Sequence, residues 1–287
     1  MLIDALLPLL GSWRDRVVLV TGASSGIGRE TALLFGRLGA RVALVARRQA
    51  LLESVAAELR TAGGDALVVP ADVGDANAAR AAVARVRATW DRIDLLVNNA
   101  GLLRPAPVAR IEAADLDAML RVNLYGALFM TQAALPILLR HPGGSIVNVA
   151  SLAGRRGLTP LGGYCATKFA LIGLSEALRT ELDAETLHVG IVLPGVVDTP
   201  MVQGVDQAGE IPEWPVELNM PAEWVAAAIA LAARFRLREV SVPPGAALLE
   251  ELGALVPGIS DLLIGWMSAA GRWLARARGT RAGPPSA

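Results

Sequence analysis

The 287-residue sequence predicts a single α/β domain built on a doubly wound parallel sheet, with an added helical extension at its C-terminal end. Three observations carry this. Short apolar, β-branched runs recur at 16–20, 41–45, 93–97, 145–149 and 189–193, as strands buried on both faces do. Helix-period apolar stripes separate them. The first run also passes directly into a glycine-rich turn, Thr21-Gly22-Ala23-Ser24-Ser25-Gly26-Ile27-Gly28, that opens a helix. Repeated βα units at this spacing make a parallel sheet with helices on both faces.

Each element has its own signal. The strand at 16–20 is followed by a helix over 29–38, closed by Gly39, and by a strand at 41–45. Strand, glycine turn, helix and strand within about thirty residues form the dinucleotide-binding βαβ unit of the Rossmann arrangement. Leu51, Leu52, Val55 and Leu59 mark the next helix, and 66–70 a strand running into Asp72 and Val73. Val83, Val86 and Trp90 mark another helix before the strand at 93–97 and the turn Asn98-Asn99-Ala100-Gly101. A long helix over 113–139 carries Asn123. After the strand at 145–149 comes the helix of Tyr164, reaching about residue 182, then a strand at 189–193 ending in Pro194-Gly195. A helix over 224–233 and a strand over 239–242 complete a domain spanning 14–245. Beyond it, Leu262, Leu263, Trp266, Met267, Trp273 and Leu274 recur at helical spacing, with Arg272, Arg276 and Arg278 at one end. This amphipathic extension, 246–278, is expected to pack on its own domain or a second subunit; contact with a membrane surface is the weaker reading. Residues 279–287, rich in Gly and Pro, read as a flexible tail.

Composition narrows the function. Lys+Arg and Asp+Glu are 27 each, so no net charge favours a nucleic-acid partner. Two histidines and one cysteine, Cys165, make no metal-ligand cluster, and a lone cysteine fits a reducing, cytoplasmic setting. No run of about 18 apolar residues is present, so no spanning helix is expected. Residues 1–10 are apolar but carry Asp4 and Pro8 and lack a basic start, which argues against a signal peptide.

The chemistry gathers around residues 151–168. Tyr164 and Lys168 stand four apart, on one face of a helix. An ammonium beside a phenol favours the phenolate and lowers a pKa ordinarily near 10, which makes a proton donor and acceptor that works nearer neutral pH. Ser151 adds a hydroxyl just after the strand at 145–149. Cys165, one position along the helix, faces away from Tyr164 and reads as a packed core thiol.

With Asp72, Asn98-Asn99-Ala100-Gly101, Asn123, Ser151, Tyr164-x-x-x-Lys168 and Pro194-Gly195-x-x-x-Thr199 following the glycine turn in order, the chain resembles the short-chain dehydrogenase/reductase family over roughly 14–200. The resemblance implies a catalytic set of Asn123, Ser151, Tyr164 and Lys168. Tyr164 would exchange a proton with the substrate oxygen, and Ser151 would hold that oxygen. Lys168 would bind the nicotinamide ribose and depress the Tyr164 pKa, and Asn123 would anchor a relay water in a bent helix. For the cofactor it implies that Gly22, Ser24, Ser25, Gly26, Ile27 and Gly28 form the phosphate-facing turn. Asp72 and Val73 would flank the adenine; Asn99, Ala100 and Gly101 would line the ribose side. After Pro194 and Gly195, the Val197 backbone and Thr199 would clamp the carboxamide.

The second strand ends in Ala46-Arg47-Arg48, where an acidic residue would select a ribose 2′-hydroxyl. Arg47 and Arg48 suit a 2′-phosphate instead, so NADP(H) is favoured over NAD(H), although Ser25 stands where many NADP-binding relatives carry a basic residue. Residues 201–220, with Pro212, Trp214, Pro215 and Met220, read as the substrate lid and point to an apolar carbonyl or alcohol. The expectation is an NADP(H)-dependent oxidoreductase interconverting a ketone or aldehyde with an alcohol, assembled as a homodimer or homotetramer. An NAD-linked alcohol or hydroxysteroid dehydrogenase and a non-catalytic nucleotide-binding scaffold remain the alternatives.

Overall fold

The computed structural model describes residues 2–183, 185–207 and 219–246. Seven strands among them form one parallel sheet in the order β3-β2-β1-β4-β5-β6-β7. In chain order the elements are α1 (Leu2–Leu10), β1 (Val17–Thr21), α2 (Gly26–Arg37), β2 (Arg41–Ala46), α3 (Gln49–Thr61), β3 (Asp65–Pro70), α4 (Ala76–Trp90) and β4 (Leu95–Asn98). There follow α5 (Ala113–Leu120), α6 (Gly126–Leu138), β5 (Gly144–Val149), α7 (Gly162–Glu181), β6 (Leu187–Pro194), α8 (Pro200–Gln207), α9 (Ala222–Phe235) and β7 (Glu239–Val242). Every predicted strand is present, with ends shifted by one or two residues. The predicted extension from 247 onward, the tail, and 208–218 of the predicted lid lie outside the described residues.

Strand alternation builds the two layers. Val18 and Val20 of β1 face a cluster with Phe35, Leu44, Val225 and Ile229, while Val17 and Leu19 face one with Val83, Val86, Leu96 and Met130. Chain order reverses at β1, since β2 and β3 lie to one side of it and β4 to β7 to the other. A crevice therefore opens beyond the C-terminal ends of β1 and β4, the place where such sheets hold ligands.

Two local features refine the sequence reading. Residues 2–10, given no element from sequence, form α1, which packs on α9; Leu10 is fully buried and Trp13 meets Phe35 edge-on at 4.7 Å. The helix predicted over 113–139 is interrupted by a π-turn, Arg121–Tyr125, with Asn123 at its centre. Such a bulge widens one turn and bends the helix.

Candidate active site

The glycine turn after β1 has a backbone floor because side chains would not fit. Gly22 stands at φ +68, and a Cβ there would fall 2.8 Å from Asn99 Nδ2 and 2.9 Å from Ala100 Cα. A Cβ on Gly28 would fall 2.3 Å from the Gly22 carbonyl oxygen. Thr21 locks the neighbouring loop. Its Oγ1 accepts from Asn99 N at 2.9 Å and Ala100 N at 3.0 Å, and Asn99 Nδ2 donates to Thr21 O at 2.9 Å. Ser25, at the N-cap of α2, makes no side-chain cap, so the helix start presents its N–H groups and positive dipole end to the crevice. That arrangement fits a pyrophosphate.

At one end, Ala46, Arg47, Arg48, Asp72 and Val73 line the same crevice. Arg48 Nη2 donates to Ser24 Oγ and Ser25 Oγ, both at 3.0 Å. A guanidinium thus reaches the serine position from the end of β2. Asp72 uses Oδ1 to accept from Gly74 N at 3.0 Å, holding its own turn.

The opposite end joins Ser151, Tyr164 and Lys168 with Pro194, Gly195, Val197 and Thr199. β5 delivers Ser151, whose Oγ donates to Pro194 O at 3.2 Å and accepts from Ala153 N at 3.1 Å. The first turns of α7 deliver Tyr164 and Lys168. Lys168 Nζ donates to Val149 O at 2.9 Å and lies 5.6 Å from the centre of the Tyr164 ring. Here the expected depression of the Tyr164 pKa is not found. Burial pushes the phenol up to about 12, against a hydrogen bond with Ser151 that lowers it. Burial also pushes Lys168 down to about 8. The ammonium donates to a backbone carbonyl, and desolvation disfavours both charged forms. Cys165 is buried, as expected, and its thiol is raised by burial.

Gly28 and Asn123 stand apart from the crevice lining. Gly28 acts by letting α2 approach Gly22. The Asn123 side chain is committed elsewhere: Oδ1 accepts from Leu102 N at 2.7 Å, and Nδ2 donates to Leu102 O and Thr167 Oγ1, both at 2.9 Å. It clamps the loop after β4 to α7, while its neighbour Val122 lines the crevice. Thr199 packs on the glycine turn, where a Cβ on Gly26 would meet its Cγ2 at 3.0 Å. Met220 is tied to the segment after β6, donating from N to Val196 O and accepting at O from Asp198 N, both at 2.9 Å.

Sequence reasoning assigned no role to a buried polar ladder beneath the site. Asn98 Nδ2 donates to Thr131 Oγ1 at 3.0 Å and to Asn148 Oδ1 at 2.9 Å; Asn148 Nδ2 donates to Ser175 Oγ at 2.8 Å. These bonds tie β4, β5, α6 and α7 together. The available signal was an asparagine at the end of one apolar strand, β4, and another within β5.

Comparison with known proteins agrees with this geometry. The family model "short chain dehydrogenase" matches residues 16–210. The uncharacterized oxidoreductase YxnA of Bacillus subtilis is 34% identical over 255 residues, 88% of this chain and 72% of its own. Among solved structures, levodione reductase aligns with a TM-score of 0.74 at 30% identity, covering 80% of this chain and 96% of that one. An alcohol dehydrogenase from Thermococcus sibiricus, complexed with 5-hydroxy-NADP, aligns with a TM-score of 0.71 at 28% identity, covering 79% and 95%. The glycine turn, the crevice and the family match together place this chain in the short-chain dehydrogenase family, as an oxidoreductase of its alcohol–ketone type built on a fold that binds a nicotinamide dinucleotide.

Proposed function

We propose that the protein is an NADP(H)-dependent oxidoreductase that interconverts an apolar ketone or aldehyde with the corresponding alcohol. One observation carries the reading: a single crevice holds Arg48 over the serines of the glycine turn at one end and Ser151, Tyr164 and Lys168 at the other. Arg48 and Arg47 would meet a 2′-phosphate with charge-assisted hydrogen bonds, and no carboxylate ends β2 to oppose it. Leu102, Val122, Met201 and Val202 at the reacting end favour an apolar substrate.

When bound, the reduced nicotinamide supplies the hydride. Tyr164 holds the proton that the substrate oxygen takes up as negative charge develops on it, and the Ser151 hydroxyl keeps that oxygen in reach. Lys168, still largely protonated at neutral pH with a pKa of about 8, lies 5.6 Å from the centre of the Tyr164 ring and would bind the nicotinamide ribose. Asn123 keeps the floor rigid through Leu102 and Thr167. The test is loss of NADPH absorbance with a panel of apolar ketones, aldehydes and aryl carbonyls. Turnover on at least one, faster with NADPH than NADH, is the expected result. No turnover with either cofactor on any member, together with tight NADPH binding, would instead identify a nucleotide-binding scaffold.

A further inference from the structure

Ser151 stands at the start of a short turn, and part of what holds that turn lies away from the crevice. β5 ends at Val149, and Leu152–Gly154 form a single 3₁₀ turn capped by the Ser151 hydroxyl, which accepts from Ala153 N at 3.1 Å. Gly154 N donates to Ser151 O and Arg155 N to Leu152 O, both at 2.9 Å. Three residues joined by bonds of this type hold their shape poorly on their own. Packing clamps the turn on two sides. A Cβ on Gly154 would fall 2.8 Å from Ile172 Cδ1 and 3.0 Å from the Lys168 carbonyl, and a Cβ on Gly195 would fall 3.4 Å from Leu152 Cδ1. Beyond Arg155 the chain enters a loop where a Cβ on Gly157 would meet nothing within 4 Å.

Arg155 fastens the end of the turn. Its Nη2 donates to Glu239 Oε2 at the start of β7 and lies 3.6 Å from Glu176 Oε1 on α7. The Arg155 and Glu239 side chains are 23% and 24% exposed, so solvent screens this pair less than it screens an ion pair on the open surface. The Glu239 end is itself fixed. Glu239 stands in register with Ile191 of β6, and Arg179 of α7 donates from Nε to Val189 O at 3.1 Å and from Nη2 to Arg238 O at 3.0 Å. One guanidinium thus joins the end of the turn to the sheet edge and to α7, the helix of Tyr164 and Lys168. The Ser151 hydroxyl has one partner inside the turn, Ala153 N, and two outside it, Pro194 O and the Tyr164 phenol. A shift of the turn would re-aim that hydroxyl. Building on the oxidoreductase reading above, we propose that Arg155 is a positioning residue: by anchoring the 3₁₀ turn to Glu239 and Glu176, it holds the Ser151 hydroxyl in place beside Tyr164.

The test is kcat, KM and NADPH affinity for the native chain, Arg155→Met, Ser151→Ala and the two changes together. Arg155→Met should lower kcat by about tenfold with NADPH affinity unchanged, because a small misplacement of an orienting group is felt in the rate. In the Ser151→Ala background the same change should have no further effect, since the hydroxyl it positions is gone. Glu239→Gln should repeat this pattern at smaller size. Hydrogen exchange over residues 151–156 gives a readout without turnover: Arg155→Met should speed exchange there and leave β4 and β5 protected. Circular dichroism and melting temperature check that each variant is folded. If Arg155→Met does not fold, Arg155→Lys, which keeps the charge but not the planar fork, takes its place with a smaller effect in the same direction. Three results would overturn the proposal: an unchanged kcat, an equal fall in kcat in both backgrounds as a purely structural role would give, or unchanged exchange over 151–156. A native chain without turnover on the carbonyl panel would sink the oxidoreductase reading, and the exchange result would then decide whether Arg155 holds Ser151.

Discussion

At the scale of single residues, the site is defined by cations held where burial or geometry makes them useful. Arg48 is the residue that touches the glycine turn, through Ser24 and Ser25. Arg48→Asp should lower the NADPH/NADH ratio of kcat/KM by roughly tenfold to a hundredfold, the range of about 1.5–3 kcal/mol for hydrogen bonds to a charged group. An unchanged ratio in that variant and in Arg47→Asp would place the phosphate contact elsewhere. Lys168 is costly to the unliganded fold. Its pKa is about 8 in the folded chain against a reference near 10.4, so the fold disfavours the ammonium. The penalty is present in full below pH 8 and disappears as pH rises through the unfolded value. Lys168→Met should therefore abolish turnover yet stabilise the unliganded protein at neutral pH by about 1–3 kcal/mol, after allowing for the lost bond to Val149 O. Chemical denaturation checks this, and a loss of stability would show that the Val149 bond outweighs the burial cost.

At the scale of elements, the glycine turn is the joint between β1 and α2. Gly28→Ala would drive a Cβ to 2.3 Å from the Gly22 carbonyl, so α2 must move away from the turn. The expected outcome is destabilisation of about 1–3 kcal/mol with strongly weakened NADPH binding. Native-like stability and affinity would mean that the turn is more compliant than its geometry implies. This joint was legible from sequence because strand, glycines and helix are local in the chain, and so were the other strands, whose apolar runs ended within one or two residues of the observed ends. What escaped was settled by distant contacts. Asn98 and Asn148 read as strand and turn residues, and only the register between β4 and β5 makes them partners. Asn123 was read correctly as sitting in a bent helix, but its bonds to Leu102 and Thr167 depend on how three elements converge. The direction of the Tyr164 pKa was misjudged because spacing reveals neither burial nor the turn of Lys168 toward Val149. Arg48 was named as a cofactor contact, yet its reach to Ser25 needed the β1–β2 pairing to bring them together.

At the scale of the whole molecule, the parallel sheet separates two ends with different work. The end where strands begin holds His188, buried on β6 with Nε2 unpartnered and its pKa pushed down to about 4 by burial and by Arg236 and Arg179. The unfolded imidazole takes its proton near pH 6.5, so stability should fall as pH drops from about 6.5 toward 4, by up to about 1.4 kcal/mol per pH unit. His188→Gln should flatten that part of the profile; an unchanged slope would assign the acid sensitivity to other groups. The end where strands finish carries the crevice, with Tyr164 as its proposed proton donor. The direct measurement is turnover of an accepted ketone by Tyr164→Phe alongside NADPH affinity by fluorescence titration. A fall of roughly 10²–10⁴-fold in kcat with affinity nearly unchanged is the predicted result; activity within about threefold of the native chain, a far smaller change than loss of a general acid produces, would contradict it.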